Sequence, residues 1–362
     1  MTETYNLVVE SIGSASPRVV NALQRGLHLP EFDLVRRLYQ APAVLLAGVS
    51  EPLASGEGEL LGQTGLRTRI VPSDAPFSPG QGDRDVALHI RNPARLREVI
   101  AEISAFLGVD GQTALTIATG APAALVGRVS AATVEALIER FRPLEVEIDA
   151  SLSENARYDL FVQDLPAPMR AELERALRAQ GVTPIASGPL LARDLTRAVA
   201  DGLWARYEHR VPMRLLDQAF QRFDIRLDKA PDTPAFAALL SELAGMPPEV
   251  VPKVLRRLPL VVVSGVRHAD FLPLMGRLTE AGARATAHLV TLQHFNLVIE
   301  GVRDLKLTAA VLAALTDKPV EAQQTALRRL PLHLDGPLSG VRARWMRHEL
   351  KSTGATVRME ER

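Results

Sequence analysis

The sequence predicts an α+β protein: a tandem array of about five small domains, each with the element order β-α-α-β-α-β. Three observations lead there. The hexapeptide LRRLPL at residues 255–260 returns at 327–332, 72 positions later. Landmarks around it keep their spacing, and short alternating strands and amphipathic helices follow one another in a repeating order along the 362 residues.

With Pro259 and Pro331 in register, Val266 and Leu338 follow at seven residues, and Gly282-Ala283 and Gly354-Ala355 at sixteen more. Pro42 leads to Val49 and Gly65 at the same intervals, with Arg36-Arg37-Leu38 just upstream. Pro122 leads to Val129. The most diverged copy reaches Val211 and runs as LLDQAFQRF into DIRLD, and its Val211-to-Phe223 interval equals that of Val129 to Phe141. The expected domains are 1–73, a linker at 74–84, 85–151, 152–230, 231–291 and 292–362.

Within a copy each element has a local reason. Four copies open on an alternating strand: YNLVVES from Tyr5, VALHIR from Val86, YDLFVQ from Tyr158 and HFNLVIE from His294. A helix follows, signalled by Ser16-Pro17, Asn92-Pro93 and Thr233-Pro234, where an oxygen side chain caps free amides and proline presets φ; Thr308 is the candidate cap in the last copy. The helix breaks at a glycine before an apolar residue, Gly26-Leu27, Gly108-Val109, Gly181-Val182 and Gly245-Met246. A second helix leads to the Leu-Pro or Ala-Pro joint and a brief extended piece such as PLVVVSGV. The third helix has an apolar face, as in Phe271, Leu274, Met275 and Leu278, closes at Gly282 or Gly354, and hands over to an alternating strand. In the fourth copy RFDIRLD reads as the last strand of the third copy, which leaves TPAFAALLSELAG without a first strand, missing or borrowed from its neighbour.

Residues 41–71, APAVLLAGVSEPLASGEGELLGQTGLRTRIV, with VVNALQRGLHLPEFDLVRRLY before them, resemble the C-terminal domain of the bacterial ribosomal stalk protein. The resemblance implies a three-stranded antiparallel sheet covered on one face by three helices, a fold shared with the adaptor of the Clp protease. It also implies a partner surface of basic and apolar residues on the first two helices, here including Arg25 and the turn with Gly26 and Leu27. Where the family carries lysine and branched apolar residues one turn earlier, this copy has Asn21 and Ala22.

Composition narrows the chemistry. Lys plus Arg and Asp plus Glu both number 42, so net charge makes no case for nucleic acid or acidic lipid. The chain has no cysteine, which removes disulfides and thiolate sites, and neither a basic apolar leader nor a membrane-length apolar run is present; the expected location is the cytoplasm. Small domains without disulfide or metal have narrow cores, so neighbouring copies are expected to pack together, with only PSDAPFSPGQGDRD reading as a flexible linker.

Several clusters invite a catalytic reading and have a simpler one. His268, His288 and His294 lack a ligand spacing such as HExxH, so no metal or other cofactor is expected. SGEGELLGQTG lacks the lysine and hydroxyl of a phosphate loop, and its register puts Gly56 and Gly58 inside a helix. In LEVEIDA, the acids Glu145, Glu147 and Asp149 read as the solvated face of a strand. RARWMRH reads as a helix burying one side with Trp345 and Met346. The arginine pairs Arg36-Arg37, Arg256-Arg257 and Arg328-Arg329 precede each joint, where helix C-termini favour cations; they are also the candidate shared contact surface. The expectation is a non-catalytic scaffold contacting protein partners through several related surfaces. An adaptor for translation factors or a AAA+ protease, a self-assembling subunit, and an enzyme with an inter-domain site are the alternatives.

Overall fold

The computed structural model describes residues 3–16, 19–20, 23 and 30–362. The protein is a mixed α+β chain with several small antiparallel sheets. Each sheet has its first strand in the middle. β1 (Tyr5–Ser11) lies between β2 (Ala43–Val49) and β3 (Arg67–Pro72), and β4 (Arg84–Ile90) between β5 (Ala123–Val129) and β6 (Val146–Leu152). β7 (Arg157–Val162) lies between β8 (Leu190–Thr196) and β9 (Met213–Asp217), and β10 (Arg222–Lys229) between β11 (Leu260–Arg267) and β12 (Arg284–Leu289). In the fifth sheet β13 (His294–Gly301) pairs on one side with two fragments, β14 (Leu332–His333) and β15 (Leu338–Ser339), and on the other with β16 (Thr356–Glu361).

The fourth sheet corrects the sequence reading. RFDIRLDK does not close the third sheet; it is the central strand of the fourth, pairing Leu227 with Leu260 and with Ala285. The third sheet closes earlier, on the five-residue strand MRLLD. The expected boundary at 230 therefore moves ahead of Arg222, and no edge is borrowed. The Val211 alignment fails for the same reason. Val129 ends a second strand, whereas Val211 follows the helix Arg197–Tyr207 and precedes a third strand; LLDQAF is strand and 3-10 turn rather than helix. Leu195, paired with Tyr158, occupies the place of Val129.

A shared local device explains the bent second strands. An Asn or Asp near the start of the central strand turns its carboxylate or amide oxygen across to a backbone N–H of the second strand: Asn6 to Gly48 (3.0 Å), Asp85 to Arg128 (3.2 Å), Asp159 to Asp194 (3.1 Å) and Asp224 to Gly265 (2.9 Å). The donating residue is left-handed each time, with φ of 64°, 59°, 59° and 66°. Pairing register slips at the Asx residue, as at a β-bulge. A left-handed non-glycine residue costs about 1 kcal/mol, and the side-chain bond offsets that at Arg128 and Asp194.

By compactness the chain divides into residues 1–152 with 294–362, and residues 153–293. In the first unit one continuous apolar core joins three sheets through Leu7 and Val9, Leu88 and Ile90, and Leu297 and Ile299. Tyr39 ties the first sheet's helices to the second's: its hydroxyl donates to the Phe106 carbonyl (3.3 Å), its ring meets Phe106 edge-on, and its carbonyl accepts from the Thr133 hydroxyl (2.8 Å). Arg97 grips Glu349 with two bonds of 3.2 and 2.9 Å. The expected flexible linker is seated rather than loose. Gly80 donates to the Pro42 carbonyl (2.8 Å), and a β-carbon on Gly80 would stand 2.3 Å from the Ala41 carbonyl oxygen, so only glycine allows that approach.

In the second unit the third and fourth sheets keep separate apolar cores, around Leu160 and Leu173 and around Ile225 and Phe236. A buried polar cluster joins them. Asp159 is 4% exposed; besides Asp194 N–H it accepts from the Gln218 amide (2.8 Å) and the Gln221 amide (2.9 Å). The Gln221 carbonyl accepts from the His268 N–H (3.2 Å), at the start of the helix His268–Glu280.

Helix ends follow the sequence signals where they are described. Asn92 and Thr233 cap with their side chains, and Gly108 and Gly245 close helices at φ of 70° and 62°. In the last copy Asp304, not Thr308, is the cap; Thr308 lies buried in the helix Leu305–Thr316, bonded to Thr353. The four Ala-Pro and Leu-Pro joints, at Pro42, Pro122, Pro259 and Pro331, all carry a cis peptide bond.

Candidate partner surface and a cavity beside the fifth sheet

The arginine pairs stand at helix C-termini as the dipole argument requires, but their members differ. In the helix Glu31–Tyr39, Leu34 and Leu38 are buried while Phe32 and Arg36, also four apart, lie on the outer side. Phe32 is 76% exposed, a large apolar group one turn from a guanidinium. Among the described residues Arg36 makes only a 3.5 Å contact to Asp33. Arg37 points inward to the Val44 carbonyl (2.6 Å) and ties the helix to the second strand. Arg256 and Arg328 are the C-cap residues of the helices Val251–Leu255 and Val320–Leu327, and with Arg257 and Arg329 they are exposed. Exposed Val250 and Leu330 sit near these pairs in sequence. Arg25, Gly26 and Leu27 lie outside the described residues, as do Asn21 and Ala22.

The other clusters resolve by their surroundings. Gly56 and Gly58 lie within the helix Glu51–Gln63. His268 packs against the rings of Phe223 and Phe271, and burial there pushes its imidazole below its ordinary value against the pull of Asp159. His288 faces Thr286. Among the described residues no group of three or more His, Asp or Glu is placed to hold a metal. Ala343, Trp345, Met346 and Leu350 bury one side of the helix Gly340–Ser352. Asp149 corrects the reading of LEVEIDA: it is buried opposite Ala87, while Glu145 lies outside the strand in a left-handed turn. Alternation assigns a residue to a face; it does not say whether that face is covered.

One feature was not anticipated from the sequence. Beside the fifth sheet a cavity of about 250 Å³ is lined by Leu315, Gln323, Leu332, Leu338, Arg342 and Met346, with Lys318 and Asp335 also at its wall. It lies where the second strand is interrupted between His333 and Leu338, in the stretch LHLDGPLS. Asp-Gly-Pro inside an expected strand was the available signal, since it is turn chemistry. Lys318 and Asp335 pair at 2.5 Å, and the ammonium holds the Asp335 carboxyl below the usual carboxylate range. The Arg342 Nε is buried with no hydrogen-bond partner.

Comparison with protein-family models, with curated proteins and with solved structures returned no match for this chain.

Proposed function

We propose that the chain is an array of five copies of one stalk-like domain and works as a non-catalytic scaffold that contacts protein partners at several related surfaces. Five sheets with the first strand central, and four of them with the same Asx-held bulge, support common descent of the copies. The observation that carries the functional reading is Phe32 with Arg36 on the open side of one helix. A largely exposed phenylalanine beside a cation is the composition of an interface anchor, since aromatic and arginine side chains dominate binding energy at interfaces. Weak contacts on several linked domains add through effective concentration. The arginines at 256, 257, 328 and 329 supply the equivalent cations elsewhere, with Arg25, Gly26 and Leu27 the adjoining expectation in the first copy.

The test is affinity purification of the full chain from its native host with quantitative mass spectrometry, wild type against Phe32→Ser and Arg36→Glu. A protein enriched by wild type and lost with either substitution is the expected result. Equal recovery from all three, or no specific protein, contradicts the reading.

A further inference from the structure

We propose that the cavity beside the fifth sheet binds a small monovalent organic anion, a carboxylate on a short branched apolar chain, with Arg342 as its counter-ion. This does not rest on the scaffold reading. The other four sheets carry an unbroken second strand of seven or eight residues; here residues 334–337 fall outside the fragments β14 and β15, with Leu334 still donating to the Leu297 carbonyl of β13 (2.9 Å), and the cavity lies beside that detour.

Charge and bonding choose the ligand. Lys318 and Asp335 are joined at 2.5 Å and cancel. Arg342 makes no side-chain hydrogen bond or ion pair among the described residues, and its Nε–H is buried. That Nε–H is closed to water-sized atoms, so a ligand would meet the part of the Arg342 side chain that lines the cavity, and an anion there would balance a guanidinium charge that no side chain among the described residues pairs. A carboxylate meets a guanidinium with two parallel bonds, so one unmatched guanidinium calls for one carboxylate. The remaining walls are mixed: Leu315, Ala326, Leu332, Leu334, Leu338 and Met346 are apolar, and Thr316 and His333 add polar groups. Gln323 is 6% exposed and gives one of its two amide N–H bonds to the Thr316 hydroxyl (2.9 Å), so with Lys318 paired to Asp335 the guanidinium is the cavity's unmatched permanent charge. A volume of about 250 Å³ equals roughly eight waters at ~30 Å³ each, enough for a branched chain of a few carbons and too little for a nucleotide.

The free acid and the C-terminal residue of a peptide share this chemistry, so the experiment separates them. Methyl NMR of the full chain follows titration with 4-methylpentanoate, with the uncharged 4-methylpentan-1-ol, with inorganic phosphate and with an N-acetylated peptide ending in leucine. Saturable shifts at Leu315, Leu332, Leu338 and Met346 with the acid or the peptide, and binding of the alcohol weaker by about ten-fold or more, are expected. Whichever of acid and peptide binds more tightly identifies the source. Arg342→Gln should weaken binding to the same degree. Ala326→Leu keeps the guanidinium and fills the space, and should abolish binding even if the arginine variant fails to fold. Shifts that never saturate, equal affinity for the alcohol, preference for phosphate, or undiminished binding in Ala326→Leu would each overturn the assignment.

Discussion

Asp159 and Asp224 hold the same place in their strands, yet their replacement by alanine should differ severalfold in cost. Asp224 accepts one backbone bond, from Gly265, and losing it from a partly buried site costs about 1 kcal/mol. Asp159 accepts three, and two of its donors are side-chain amides; Gln221 is 1% exposed. At buried Asp159 each bond to the carboxylate is worth about 1.5 to 3 kcal/mol, more than at water-screened Asp224, and the relief of no longer burying a charge cancels part of the sum. About 3 kcal/mol remains for Asp159→Ala. Urea denaturation of the full chain, with hydrogen exchange read separately on peptides from β7 and β10, measures both. The predicted pattern is a loss near 3 kcal/mol with deprotection of β7, β10 and the turn between the third and fourth sheets, against a loss near 1 kcal/mol for Asp224→Ala. Equal costs, or an Asp159→Ala protein within 1 kcal/mol of wild type, would refute the view that this carboxylate joins the two cores.

Gly56→Ala should stabilise the first unit by about 0.5–1 kcal/mol in thermal denaturation, because a β-carbon there meets nothing within 4 Å and the residue is mid-helix. Burial lowers His268 below its ordinary value near 6.5, so the unfolded chain takes up the proton first as pH falls; stability should hold above that value and decline below it, less steeply in His268→Gln, with an NMR titration midpoint for His268 under 6.5. A double-mutant cycle on Arg97 and Glu349 should give a coupling near 1 kcal/mol despite the arginine's exposure, since the pair is bidentate and Glu349, 17% exposed, also accepts from the Trp345 indole (3.1 Å).

Much of the architecture was legible because it rests on local chemistry. The helix-closing glycines Gly108 and Gly245, the caps Asn92 and Thr233, and the glycines inside the third helix of the first copy all depend on their immediate neighbours. The errors came where a residue's role depends on its partner strand. RFDIRLDK alternates well enough to end one sheet or begin another, and only pairing with Leu260 and Ala285 decides. The linker glycines look flexible until Gly80 meets Ala41, and Asp149 looks solvated until Ala87 and its surroundings cover it. The Asx residues were visible in every first strand, including Asn296, but their use is a contact some forty residues away in sequence. Arg342 and the cavity were read only as part of a one-sided helix, because a void is a property of packing and not of any residue.

The repeated sheet underlies the whole account, and cross-strand Hα–Hα NOEs in the 222–229 segment test it most directly. Leu227 and its strand neighbours should show contacts to β11 on one side and β12 on the other, as Leu160 and its neighbours should to β8 and β9. NOEs from 222–229 to Met213–Asp217 instead would return that strand to the third sheet, leave the fourth without a centre, and contradict an array of five like domains.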